Sequence, residues 1–359
     1  MKENSIPSEY MVRVQCMTYN HAPYIEDTMN GFCMQETDFP FVCVIVDDAS
    51  TDGEQDLIKG YLKNNFDLQN NRFFREEDTD DYHLIFARHK TNRNCFFGVL
   101  LLKYNHYRKK DKAPYYEKWT KAKYIALCEG DDYWTHPKKL KKQVKSLSEH
   151  PECSFSSTGF KVIKKGEEQK DMTLYCNDED VHIYGLDVWG KLWIAKTLTL
   201  MIRKEVWEEY LLAASKYERP KDSYLTYHMF KRGICAYIPE CMGAYNNMGQ
   251  GIWNSLPYYK QIELDTFTMQ ELYFKNGRDP ILHEQYMHAI IKNLECVELN
   301  GSKIDILVEA IRESNNIQDK KKVLKAYILY CKQKGKYLSI GLYHKLKGCL
   351  LPVKRIRFY

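Results

Sequence analysis

Three groups of carboxylates stand where chemistry could be done: Asp47 with Asp48, Glu129 with Asp131 and Asp132, and Asp222. The first two follow apolar runs at 41–46 and 124–128, and the third opens a helical stretch. Acids gathered at the end of a buried strand repel one another unless a cation or a hydrogen-bond donor compensates. A hard divalent ion, Mn²⁺ or Mg²⁺, is the usual compensation, held by carboxylates together with phosphate oxygens. A diphosphate leaving group needs such an ion, because negative charge builds on it as the bond breaks. Each group also has a plainer reading. Asp47–Gly53 could be a strand-to-helix turn, Glu129-Gly130-Asp131-Asp132 a tight turn, and Asp222 a helix cap. The three in one chain are more specific than any one alone.

The elements that must position these acids are legible in part. Residues 11–17 alternate Val12, Val14 and Cys16 with polar neighbours and stop at Thr18-Tyr19-Asn20-His21, as a strand ending in a polar loop does. Helical spacing follows at 24–33. The continuous β-branched run 41–46 predicts a strand covered on both faces, and a helix follows at 55–62. Two β-then-α units predict a parallel sheet with right-handed crossovers and a site at the carboxyl ends of its strands. Residues 64–90 read as a solvated loop. After the strand at 124–128, Pro137 opens a helix with Leu140, Val144 and Leu147 inside and Lys138, Lys139, Lys141, Lys142 and Lys145 on a solvated face. A strand at 197–202, a helix at 222–231 closed by Gly233, and a short strand at 236–238 before Pro239 complete this part. Helical patterns then fill 258–274, 281–299, 304–311 and 321–331. The expected division is 1–255 for the α/β part and 256–359 for a helical C-terminal extension.

Residues 12–253 resemble a family 2 glycosyltransferase with the GT-A fold: a Rossmann-like mixed, mostly parallel sheet flanked by helices. The resemblance rests on Met17-Thr18-Tyr19-Asn20, on Val46-Asp47-Asp48-Ala49-Ser50-Thr51-Asp52-Gly53, on Glu129-Gly130-Asp131-Asp132-Tyr133-Trp134, and on Tyr245 with Gly249-Gln250-Gly251-Ile252-Trp253. The E-G-D-D-Y-W form is similar to bacterial surface-polysaccharide enzymes. The resemblance implies a UDP-sugar donor held by Thr18, Tyr19, Asn20, Asp48, Asp131 and Trp253, with Tyr19 stacking on the base and Asp48 accepting its imide hydrogen. It implies a metal held by Asp132, Asp131 and Glu129, with Asp132 the expected direct ligand. Glu129 stands where many members have Asp, so its extra methylene sets it apart. Asp222 matches the catalytic base, which would make transfer inverting. The chain departs from the family at Asn246 and Met248, where relatives carry Arg and His, which puts any help those positions give to the diphosphate or metal in doubt. Residues 109–121 are extra length with no assigned role.

Composition supports a packed protein, with 44% hydrophobic and 28% charged residues among 359. The twelve cysteines show no C-x-x-C pair, and the reading is of reduced thiols in a cytoplasmic protein. Residues 320–359 hold twelve Lys/Arg and no acid, so a net charge of +5 leaves seven net negative charges on the rest. Such a tail suits an anionic membrane surface, on the inner face of which an enzyme acting on a glycan or lipid-linked saccharide would work. No nucleic-acid partner is expected. Two other classes compete: a catalytically impaired nucleotide-sugar or glycan binder, and a nucleotidyltransferase, suggested by Gly130-Asp131-Asp132 but disfavoured by the helix expected after it.

Overall fold

The computed structural model describes residues 5–107, 112–169, 180–218, 221–247, 253, 255–299 and 303–334. Met248, Gly249-Gln250-Gly251-Ile252, residues 109–111 of the extra segment and the basic tail beyond 334 lie outside the described residues. The chain separates into two compact units, Met1–Met248 and Gly249–Tyr359.

In chain order the first unit contains β1 (Tyr10–Thr18), α1 (Ile25–Cys33), β2 (Phe41–Asp47), α2 (Glu54–Asn65), β3 (Arg75–Asp78), β4 (Tyr82–Arg88), β5 (Cys95–Leu102), α3 (Ala113–Tyr116), β6 (Ala122–Leu127), β7 (Tyr133–Trp134), α4 (Lys139–Glu149), β8 (Cys153–Lys164), β9 (Glu167–Glu168), β10 (His182–Tyr184), β11 (Met201–Arg203), α5 (Lys204–Ala214), α6 (Asp222–Arg232) and β12 (Ile234–Asn247). One mixed sheet runs in the order β10-β12-β8-β11-β6-β1-β2-β5-β4-β3. Strands β6, β1, β2 and β5 are parallel neighbours, and β8 is parallel to β12. Because β11 runs against both β6 and β8, all six share one direction. Their carboxyl ends therefore line one edge, together with the amino end of β11. The fold is the mostly parallel α/β arrangement expected. Every residue of β2 and of β5 is buried, which explains why both read as unbroken apolar runs.

Four expectations need correction. The stretch 64–90 is not all loop: β3 and β4 form an antiparallel hairpin on β5. Its acids fall on edge strand β3, where exposed charge discourages further pairing. The strand expected at 197–202 begins as a 3-10 turn, Thr197–Thr199, and only Met201–Arg203 joins the sheet. The short strand at 236–238 continues through Pro239 to Asn247, since register shifts between Ile238 and Ala244 absorb the proline. Lys139 is not on a solvated face but completely buried. Strand β8, rich in Ser and Thr, and helix α5, whose Val206, Trp207, Tyr210 and Leu211 have helical spacing, add to the expected elements.

The second unit comprises α7 (Tyr258–Lys275), α8 (Pro280–Glu295), α9 (Lys303–Glu313) and α10 (Ile317–Gln333). Asp279 and Asn316 cap α8 and α10 through their side chains. Tyr273 and Tyr286 stack at 4.9 Å, and buried Lys303 donates to Asn293 Oδ1 at 2.9 Å. No helix among the described residues is long and apolar enough to cross a membrane.

Candidate active site

Two loops meet at the carboxyl ends of β1, β2 and β6. The β1 loop turns at Asn20 (φ 56°) and the β2 loop at Ala49 (φ 63°), both in the left-handed region. Asn tolerates this and Ala pays about 1–2 kcal/mol, so the surroundings must hold the turn. They do. Thr51 N–H donates to Asn20 Oδ1 at 2.8 Å, Asn20 N–H to Ser50 Oγ at 2.8 Å, and Ser50 Oγ–H to Glu54 Oε2 at 2.9 Å. Glu54 is the buried centre, also accepting from His21 N–H at 2.8 Å and from the Thr18 hydroxyl. Burial raises its carboxyl above the usual range, and these hydrogen bonds pull it back. Thr18 is thereby turned inward and supports the loop from beneath. Tyr19, by contrast, is 45% exposed and open to a stacking partner.

Asp48 is buried with both oxygens engaged: Oδ1 accepts from His106 N–H at 2.7 Å, and Oδ2 lies 3.3 Å from Lys112 Nζ. Each oxygen has a second lone pair, so a base imide hydrogen can still be accepted. Asp47 Oδ1 accepts from Ser50 N–H at 3.0 Å and Gln55 Nε2 at 2.5 Å.

The acidic turn lies beside the first loop because residue 130 is glycine. Its N–H donates to Met17 O at 3.0 Å, and a Cβ there would overlap the Thr18 side chain. The Thr28 hydroxyl lies 3.0 and 2.7 Å from the carbonyl oxygens of Gly130 and Asp132. The turn ends in Trp134, buried edge-on to Phe32 at 5.0 Å, with its indole N–H donating to Leu198 O at 2.9 Å. Carboxylate oxygens of Glu129, Asp131 and Asp132 lie within 4.8 Å of one another. At that spacing each pair of unit charges repels by about 3 kcal/mol at an effective dielectric of about 20. Asp132 is fully buried; Oδ1 accepts from Asn246 N–H at 2.9 Å, and Oδ2 has no partner. Burial, then Asp131 and Glu129, drive its pKa well above the carboxylate range. Glu129 is pushed up to about 8 by the protein around it, then by Asp222 and Asp131. Its side chain is open to solvent, so the like-charge repulsion is the part that survives hydration. One charged hydrogen bond, worth about 1.5–3 kcal/mol, cannot offset two such repulsions. A hard divalent cation can, and the orphaned Asp132 Oδ2 is a ready ligand atom.

Asp222 is exposed at the start of α6 and accepts from the Thr197 hydroxyl at 3.2 Å. Between it and the acidic turn stands Lys196, which the sequence reading missed. Its Nζ lies 4.0 Å from the Tyr245 ring centroid. Burial works against its charge, but Tyr245, Asp222, Asp132 and Glu129 outweigh that and raise its pKa. Nothing in the local sequence marks this lysine; it matters because β11 enters the sheet beside β6. Asn246 gains a role as well. Its N–H holds Asp132, and its side chain donates to Asp131 O at 2.7 Å, so it clamps the acidic turn to β12. Buried Lys139 grips the turn from behind. Its Nζ donates to Gln143 and lies 4.6 Å from the Trp134 ring, and burial lowers its pKa to about 7. Trp253 belongs to the second unit, where its carbonyl accepts from Gln261 Nε2 at 3.3 Å.

The fold is that of a GT-A type protein. Solved structures agree: S. aureus TarS residues 1–349 in complex with UDP-GlcNAc superposes with a TM-score of 0.53 at 15% identity, covering 92% of this chain and 93% of that one. The mannosyltransferase PcManGT of Pyrobaculum calidifontis, in complex with GDP-Man and Mn²⁺, gives 0.50 at 14% identity, covering 96% and 81%. Residues 16–84 match the family described as Glycosyl transferase family 2. An uncharacterized protein of Mycobacterium tuberculosis is 30% identical over 240 residues, 67% of this chain; the chain spans 59% of that relative's length. TuaG of Bacillus subtilis, named for a putative role as a teichuronic acid biosynthesis glycosyltransferase, is 24% identical over 262 residues, 70% of this chain and 88% of TuaG. Together these matches support a family 2 glycosyltransferase, the family model itself covering residues 16–84.

Proposed function

We propose that this chain is an inverting glycosyltransferase, moving a sugar from a UDP-sugar to a hydroxyl of a glycan or lipid-linked saccharide with help from Mn²⁺ or Mg²⁺. The observation that carries the reading is the buried, partnerless Asp132 Oδ2 amid three converging carboxylates, with Asp222 and Asp48 to either side along one sheet edge. The ligands in the solved neighbours, UDP-GlcNAc in one and GDP-Man with Mn²⁺ in the other, support it.

In this mechanism Tyr19 stacks on the base, Asp48 accepts its imide hydrogen and Asn20 shapes the loop beneath it. Asp132, with Asp131 and Glu129, would hold a divalent ion, which would supply positive charge against the diphosphate oxygens. Asp222 takes the proton from the acceptor hydroxyl as that oxygen attacks the anomeric carbon from the face opposite the nucleotide. The bond from the anomeric carbon to the diphosphate breaks, UDP departs, and an α-linked donor yields a β-linked product. The twelve cations in 320–359 are the proposed contact with an anionic membrane surface, on the cytoplasmic side.

The test is a panel of nucleotide sugars assayed for Mn²⁺-dependent nucleotide release, with Asp222→Asn alongside. The expected result is release from one donor, lost by about 10²–10⁴-fold in the variant while UDP affinity is kept. A wild-type chain that neither hydrolyses nor binds any nucleotide sugar would sink the reading.

A further inference from the structure

The substrate positions along the sheet edge are ordered. Tyr19 and Asp48 follow β1 and β2, the acidic turn follows β6, and Lys196 with Thr197 precedes β11. Beyond these, at β8 and β12, lie Phe160 and Tyr245. If the nucleotide occupies the β1–β2 end, the β8–β12 end is where the acceptor must enter, because Asp222 draws its proton from the side away from the nucleotide.

That end holds an aromatic ring with an unusual setting. Trp193 is 39% exposed, although the segment carrying it is anchored on both sides. Trp189 is buried and donates its indole N–H to Thr226 Oγ1 at 3.0 Å. Ile194 is buried and its carbonyl accepts from the Ser157 hydroxyl. The same segment thus spends one tryptophan on the core and presents another to solvent. Phe160 and Tyr245 meet Trp193 nearly perpendicularly, at 5.3 Å and 89° and at 6.5 Å and 78°. Both are edge-to-face contacts, which orient the indole without sandwiching it. Lys196 Nζ lies 5.8 Å from the Trp193 ring and 4.0 Å from Tyr245, and the adjacent Thr197 reaches Asp222. A flat apolar face rimmed by a few convergent polar groups suits a pyranose, with an apolar C–H face and a hydroxylated edge.

We propose that Trp193 is the platform on which the acceptor sugar stacks, its hydroxyl edge turned toward Lys196 and Asp222. This rests on the glycosyltransferase reading above and assigns the acceptor class as a pyranoside.

The experiment measures two ligands in parallel on the full chain with Mn²⁺. UDP affinity is read by calorimetry. Binding of methyl α- and β-pyranosides of glucose, galactose and N-acetylglucosamine is read by saturation-transfer NMR in the presence of UDP. Wild type is expected to bind UDP and to transfer saturation to the C–H face of at least one pyranoside. Trp193→Ala should weaken that pyranoside at least tenfold while shifting UDP affinity less than twofold, and Trp193→Phe should retain most of the pyranoside affinity. The proposal is overturned if Trp193→Ala keeps the pyranoside, if it loses UDP as well, or if wild type binds UDP but none of the pyranosides. Failure of wild type to bind UDP overturns the glycosyltransferase reading itself.

Discussion

The two acidic loops at the centre of the site are opposites in electrostatic state. After β2, both oxygens of Asp48 already have donors and Asp47 Oδ1 has two, although Asp47 Oδ2, like Asp132 Oδ2, is buried without a partner. After β6, three carboxylates crowd within 4.8 Å and the most buried keeps one oxygen without a partner. Asp48 is held in place before any ligand arrives and suits recognition of a neutral base edge. The second is incomplete alone and suits a cation. Acidic residues in similar positions, after parallel strands of one sheet, thus differ in what they can hold because of the donors that other segments bring to them.

The largest effect should come from the unfinished loop. Asp132→Asn is expected to lower turnover by about 10³-fold, equivalent to several kcal/mol of charge stabilisation, and to abolish the Mn²⁺ enhancement of UDP binding. Calorimetry with and without Mn²⁺ checks this, and a variant that still responds to metal would erase the contrast. Next comes the joint between the loops. Gly130→Ala forces a Cβ into Thr18, and a misplacement of that size costs about 10²-fold in turnover; steady-state kinetics at saturating donor reads it. Asp48→Asn should weaken UDP by about tenfold, the loss of a charge-assisted hydrogen bond, with the metal response intact. A lost metal response there would show that the two loops are not independent.

The smallest effect is on stability. The protein around Glu129, then Asp222 and Asp131, push its carboxyl up to about 8 in the folded, metal-free chain, against about 4.3 unfolded. Between those values the folded state holds a proton that the unfolded state has released, so stability falls as pH rises from about 4 to 8. Thermal melts should therefore drop by a few degrees at most between pH 5 and 8, since the exposed side chain is screened. Mn²⁺ should raise the melting point more at pH 8 than at pH 5, and Glu129→Gln should reduce the metal-free slope, leaving the part due to buried Asp132.

The halves of the sheet were not equally legible. Strand β1 announced itself by alternation, β2 and β6 by apolar runs, and the acids that end those two runs marked the site. The hairpin β3–β4 hid behind the charges of an edge strand, and β12 behind Pro239, which a bulge accommodates. Lys139 read as solvated because four neighbouring lysines are; the indole of Trp134, the amide oxygen of Gln143 and the carbonyl oxygen of Thr199 make its burial tolerable.

By itself the sequence determined the order of strands and acids: Asp48, then Glu129 to Asp132, then Asp222, each at the end of an element whose periodicity is local. What only the tertiary structure decided was which of those acids are already satisfied. Lys112 lies 64 residues from Asp48 and Asn246 lies 114 from Asp132, yet they set the charge balance of the two loops. Such compensation depends on distance in space, and a donor that far along the chain leaves no periodic trace beside the residue it serves.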